Sequence, residues 1–248
     1  MSPLWIAPAA IGGALLGPFL RGQIFYHSVE YGNPWRHECP HCSHDVLGTG
    51  ARGLTSVLPA TGRCPACLRR LGPAPGIVEA TAAAVVALLT WRITEPLPWL
   101  ACCWTFLIGV ALAHIDVVVH RLPDRLSLTA AAGAAVLLIG AAVTDHRYSR
   151  LVVACVCAVG VALFYLILVL ANPSGMGLGD AKTAISTGLV TGWFSAFAAI
   201  AGGAAGFVLA GMYALALIVS RRAGPKDHIP HGPFLLLGAV ATVALLGS

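Results

Sequence analysis

Two groups of side chains in this sequence have types and spacings suited to chemistry. The first is a pair of cysteine knuckles, Cys39-Pro40-His41-Cys42 and Cys64-Pro65-Ala66-Cys67, with 21 residues between them. Two C-x-x-C pairs so separated can hold four thiolates tetrahedrally around zinc. Four sulfur ligands leave no open position for water or substrate, so such a metal is structural and ties a loop too small for its own core. Four free thiols or a redox pair is the competing reading. One of His37, His41 and His44, beside the first knuckle, could also replace a cysteine. The other four cysteines, Cys102, Cys103, Cys155 and Cys157, fall in apolar runs and read as small packing residues.

The second group is acidic. Only Glu79, Asp116 and Asp180 adjoin or enter apolar runs, where an ionisable group is costly unless it faces a polar cavity or a partner. Asp116 sits in His114-Ile115-Asp116, shortly before Arg121-Leu122-Pro123-Asp124, and Asp180 closes Gly177-Leu178-Gly179-Asp180. Two carboxyls held close cannot both ionise, so one keeps a proton while the other stays a carboxylate. The carboxylate can take a proton from water, and the acid can bind a scissile carbonyl and later protonate the amine. Such a pair titrates as a unit and hydrolyses peptides with no metal at the reaction centre. For any one acid alone, a satisfied helix-end carboxylate is an equally good account. Asp124, after Pro123 and before an apolar run, reads as a helix-start stabiliser. His114 reads as a packed or hydrogen-bonded helix histidine, and Lys182 as a snorkelling side chain that could also neutralise charge near Asp180. Gly177 and Gly179, lacking a Cβ, permit close backbone approach. The stretch is not a phosphate loop, because Ala181-Lys182-Thr183 follows in place of G-K-[ST].

The elements that must position these groups are membrane helices. Of the 248 residues, 10% are charged and 58% hydrophobic, against about 25% and 45–50% in soluble domains. Too few charges remain to coat a water-soluble globule, which excludes a soluble enzyme or a disordered chain. The net charge of +5 is spread over loops and forms no basic stripe, so nucleic acid is not an expected partner. Apolar runs occur near 3–20, 76–91, 98–119, 126–144, 151–171, 183–219 and 232–247. The run 183–219 would measure about 55 Å as one helix, too long for a hydrocarbon core of about 30 Å. It must turn back, and Gly192-Trp193-Phe194-Ser195, with a Trp suited to the interface, is the expected place. The predicted fold is therefore an all-α polytopic membrane protein of about eight transmembrane helices.

A small cytoplasmic zinc-binding loop domain is expected between the first and second helices. The division is 1–20 for the first helix, 21–75 for the four-cysteine loop and 76–248 for seven further helices. With the N-terminus outside, only Arg92, Arg147 and Arg150 face outward; the other twelve basic residues, among them Arg21, Arg52 and Lys226, face inward, as the positive-inside rule requires. The first run reads as a retained span, because Arg21 follows it and no Lys or Arg precedes it. Gly202, Gly203 and Gly206 read as close-packing positions.

At these residues the sequence resembles the type IV prepilin peptidase family, the GxGD-type membrane aspartyl proteases. The resemblance is carried by the two knuckles, by Asp116 with Arg121-Leu122-Pro123-Asp124, by Gly177-Leu178-Gly179-Asp180-Ala181-Lys182 and by Ile229-Pro230-His231-Gly232-Pro233-Phe234. It implies an aspartic endopeptidase of the bacterial inner membrane that removes a short basic leader from prepilin or pseudopilin precursors at the cytoplasmic face, for pilus or type II secretion assembly. Asp116 and Asp180 would be the catalytic pair, Gly177 and Gly179 would shape the active-site loop, and Cys39, Cys42, Cys64 and Cys67 would hold zinc. Many relatives also methylate the new N-terminus with S-adenosylmethionine. Here the N-terminal half departs from the family's wording: Gly17-Pro18-Phe19-Leu20-Arg21 carries Arg where Asn is usual, and Pro73-Ala74-Pro75-Gly76-Ile77-Val78-Glu79 is a partial match. An ion- or proton-coupled transporter using the buried acids, and an inactive pilin-assembly factor, are the other function classes these residues allow.

Overall fold

The computed structural model describes residues 3–47, 56–171, 176–222, 224 and 229–247. Arg52 and Lys226, placed on the inner face by the sequence, lie outside the described residues. The described residues form α-helices without strands: α1 (Ile6–Leu15), α2 (Gly17–His27), α3 (Ile77–Arg92), α4 (Pro96–Val119), α5 (Asp124–Thr144), α6 (Tyr148–Ala171), α7 (Leu178–Phe194), α8 (Ala196–Val219) and α9 (Gly232–Leu246). Among them α4, α5, α6 and α8 are long and apolar enough to cross a membrane, and α9 is apolar but shorter, at 15 residues.

Local chemistry sets the boundaries that matter for the site. His120 ends α4 in the left-handed region, with φ 48°. Pro123 then holds an extended conformation and starts α5 at Asp124, since the proline ring fixes φ and suits a helix start. The long run breaks at Ser195, which is extended (φ −168°, ψ 157°) and whose Oγ accepts from the Ala198 amide at 3.0 Å, an N-cap for α8. The break falls where the sequence places it. Trp193 does not follow the interfacial expectation: it is buried in the core between helices, where its large ring fills volume that the small residues of α7 leave.

The first apolar run is also not a single helix. It is interrupted at Leu16, and α2 continues to His27, seven residues past the expected end. Pro18 cannot donate to the preceding turn, while Arg21 is neutralised by Glu79 on α3, so the chain stays helical and buried beyond the apolar stretch.

At the centre of the bundle is α7, whose Thr183, Ser186, Thr187 and Thr191 are buried. Their hydroxyls are satisfied locally, as in Thr191 Oγ1 to Thr187 O at 2.7 Å, or across helices, as in Ser127 and Thr183 Oγ at 3.0 Å. Small residues let neighbouring helices touch: a Cβ on Gly206 of α8 would come within 2.7 Å of Leu235 Cα on α9. By contrast α8 leaves Ile200, Phe207, Met212 and Leu215 exposed, an apolar face suited to lipid. Cys102 and Cys103 are buried and Cys157 is partly so, but Cys155 is exposed on α6 and does not pack as expected; the periodicity of the helix turns it outward.

Candidate active site

Three helix ends meet at one end of the bundle. The last turn of α4 carries Asp116, the first turn of α7 carries Asp180, and α9 opens with Gly232 just after His231. They enclose a cavity of about 500 Å³ whose lining includes both aspartates, Arg125, Lys182 and His231. Asp116 and Asp180 are 6% and 5% exposed, and both line this one cavity.

Each carboxylate has one oxygen fixed by the backbone. Asp116 Oδ2 accepts from the Gly232 amide at 2.9 Å, and Asp180 Oδ2 from the Gly177 amide at 3.1 Å. Asp180 Oδ1 is buried without a partner among the described residues. The α7 position adds the positive end of the helix dipole beside Asp180. One oxygen of Asp180 is thus held in place while the other is free for a reacting group.

The two glycines do different work. A Cβ on Gly179 would sit 2.7 Å from Leu122 Cβ, so only glycine lets α7 start against the segment that follows Asp116. A Cβ on Gly177 would meet nothing nearer than 3.8 Å; that residue contributes its amide. Asp124 turns to Lys182 instead of the aspartate pair, with Oδ1 to Nζ at 2.7 Å, so the lysine does neutralise a carboxylate, but the one that opens α5. His114 Nδ1 lies 2.8 Å from Val110 O, in keeping with a hydrogen-bonded helix histidine.

The cysteine loop forms the second centre. Sγ of Cys39, Cys42, Cys64 and Cys67 all lie within 4.8 Å of one another, with Cys39–Cys67 and Cys42–Cys64 at 3.7 Å. A zinc tetrahedron with Zn–S of about 2.3 Å has a sulfur–sulfur edge of about 3.8 Å, so the donor set fits this metal. The two knuckles repeat one geometry. Ser43 and Leu68, each following the second cysteine, adopt positive φ of 53° and 59°, and the Cys39 and Cys64 amides each bond a carbonyl five residues on, His44 O and Arg69 O, both at 2.9 Å. Amides of Cys67 and Ala66 lower the Cys64 thiol from its ordinary value, while burial and the neighbouring thiols raise that of Cys42, as expected of four sulfurs crowded together. No histidine joins the cluster among the described residues.

The two centres are linked by aromatic contacts. Arg121 lies 5.1 Å from the ring centroids of both Tyr31 and Trp35, and these two aromatics, leading into the knuckles, also line the cavity.

Sequence reasoning missed the role of one pair. Arg21 has a fully buried side chain and grips Glu79 twice, Nε to Oε1 at 2.6 Å and Nη2 to Oε2 at 2.8 Å, while bonding Pro73 O at 2.9 Å and Ala74 O at 2.8 Å. The signal was a lone cation after one apolar run and a lone acid opening the next.

Residues 100–247 match the type IV leader peptidase family model. The chain belongs to the type IV leader peptidase family. The matched segment holds both aspartates, whereas the cysteine loop and α1–α3 precede it. The chain is similar to proteins named prepilin leader peptidase/N-methyltransferase: 27% identical over 219 residues to that of Burkholderia pseudomallei (strain 1026b), covering 84% of this chain and 66% of the relative. It is 26% identical over 206 residues to that of Aeromonas salmonicida (strain A449), covering 80% and 67%, and 25% identical over 226 residues to that of Pseudomonas putida, covering 78% and 75%. This leader peptidase family member thus spans just under two thirds of the Burkholderia relative's length. No solved structure matches the chain.

Proposed function

We propose that this protein is an aspartic endopeptidase that removes the basic leader from prepilin or pseudopilin precursors, with Asp116 and Asp180 as its catalytic pair. The observation that carries the reading is the placement of two buried carboxylates on one cavity, Asp180 with one oxygen tied to a backbone amide and the other unpartnered. The ionised member takes a proton from water, which attacks the scissile carbonyl; the protonated member stabilises the developing oxyanion by hydrogen bonding. Collapse of the tetrahedral intermediate breaks the C–N bond, and the departing nitrogen receives a proton from the dyad. Gly232 and Gly177 amides keep the carboxylates oriented throughout.

In this reading the chain spans the bacterial inner membrane eight times, α1 with α2 forming the first crossing and α3 to α9 the remaining seven. Residues 1–20 belong to that first crossing, 21–75 to the zinc loop and 76–248 to the peptidase helices. The cavity and the cysteine loop face the cytoplasm, where the loop basic residues concentrate, and zinc is structural. The apolar part of the substrate lies in the bilayer beside the helices, and the leader enters from the cytoplasmic side. S-adenosylmethionine would be a cofactor only if methyl transfer is retained. Glu79, the acid in the partly matching N-terminal stretch, is engaged by Arg21, so no step through that donor is assigned.

The test is processing of a leader-bearing prepilin in membranes containing the parent protein, Asp116→Asn or Asp180→Asn. A shortened pilin with the parent alone is expected. Processing that survives both substitutions removes the dyad.

A further inference from the structure

The cavity has a third polar group that the dyad mechanism does not use. His231 is 6% exposed, and its Nε2 is buried without a hydrogen-bond partner among the described residues. The ring is held between aromatics, with its centroid 5.3 Å from that of Tyr165 and 6.4 Å from that of Phe207. Tyr165 is itself fixed by its hydroxyl, which donates to Gly203 O at 3.0 Å. Packing alone would be met by an apolar ring at this position, whereas an orphaned buried nitrogen costs about 1–3 kcal/mol. Such a group in a native fold calls for an explanation, and catalytic sites are a common one.

Two features place His231 at the chemistry. The next residue, Gly232, donates its amide to Asp116 Oδ2, so the imidazole is attached to the same backbone turn that orients one catalytic carboxylate. The other carboxylate holds a matching orphan: Asp180 Oδ1 is also buried and unpartnered, on the same cavity lining. These two atoms come from different elements, the start of α7 and the residue before α9. The dyad chemistry accounts for the Asp180 oxygen; a peptide strand, which brings both a donor and an acceptor with every residue, supplies a partner for the imidazole nitrogen in either tautomer.

We propose that His231 is a substrate-orienting residue, its Nε2 hydrogen-bonding a backbone peptide group of the bound precursor beside the scissile bond. Recognition through the backbone is independent of the substrate's side chains. The proposal rests on the aspartyl peptidase reading above and adds a third contact to it.

The experiment measures prepilin cleavage by the full-length protein in detergent or membranes, as kcat and KM, for the parent, His231→Phe and His231→Gln. Phe keeps a ring of similar size without the nitrogen, and Gln returns a polar group near the Nε2 position. One neutral hydrogen bond of about 0.5–1.5 kcal/mol corresponds to roughly 2- to 12-fold in kcat/KM. His231→Phe is expected to lose that factor mainly through a higher KM, at a melting midpoint no lower than the parent's because the unpartnered nitrogen is gone, and His231→Gln to recover to within about twofold of the parent. Should His231→Phe fail to accumulate, His231→Leu takes its place with the same expectation. Parental kcat/KM in the apolar variant overturns the proposal, as does equal loss in the apolar and Gln variants, which marks a packing role. Asp116→Asn and Asp180→Asn run alongside: if both cleave like the parent, the peptidase reading itself fails. If they are inactive while His231→Phe is fully active, only the role of His231 falls.

Discussion

Arg21 and Glu79 give a quantitative test of how the N-terminal helices are held. The Arg21 side chain is 0% exposed and that of Glu79 17%, so Glu79→Gln leaves a guanidinium in the interior facing a neutral amide. Breaking a buried ion pair from one side costs about 3–5 kcal/mol. The partial exposure of Glu79 lets water reach the site, which places the expected loss near the low end, about 3 kcal/mol. For a chain of this size each kcal/mol moves the melting midpoint by about 2–4 °C, so Glu79→Gln should melt about 6–12 °C below the parent. The double variant Arg21→Met, Glu79→Met removes both charges and should regain most of the difference. The Pro73 and Ala74 carbonyls that Arg21 releases are only half-buried and can turn to water. Thermal unfolding in a mild detergent, followed by the loss of helical circular dichroism, provides the readout. An unchanged midpoint in Glu79→Gln, or a double variant that is less stable than the sum of the singles, refutes the assignment of this pair as a structural tie.

Asp116→Asn and Asp180→Asn should each lower prepilin cleavage by at least about 100-fold, the low end for a lost general acid or base, with the melting midpoint retained; steady-state cleavage and a thermal melt check both halves. Gly179→Ala pushes a methyl to 2.7 Å from Leu122 Cβ and should cost about 1–3 kcal/mol of stability together with activity. Gly177→Ala, with 3.8 Å of clearance, should leave both near parental values, and equal damage from the two would contradict the packing described. Cys39→Ser should lower bound zinc and loosen the loop, as read by metal analysis and limited proteolysis of residues 28–75; full zinc content in a Cys39/Cys64 double serine variant excludes the four-thiolate site.

The residue types decided the solvent and the candidate chemistry. A chain with 10% charged residues has to bury its backbone in helices within lipid, because unpaired peptide groups are too costly there. The C-x-x-C spacing defines a tetrahedral donor set because the two short knuckles bring sulfurs together locally. The rare acids in apolar runs were legible for the same reason: a buried charge needs a purpose or a partner. The break in the long run could be placed by length alone.

What tertiary structure decided is which of these lone charges serve one another. Glu79 and Asp180 each open a helix and look alike in sequence, yet Glu79 meets Arg21, 58 residues away, while Asp180 meets a cavity. Lys182, two residues from Asp180, reaches back to Asp124. The amide that orients Asp116 comes from Gly232, 116 positions later, and Trp193 is interior because α7 is surrounded on several sides. Such pairings depend on the order in which helices pack and on their rotation about their own axes. Neither is encoded in local periodicity when the helices are apolar on nearly every face, so the partners of a charge become known only once the helices are assembled.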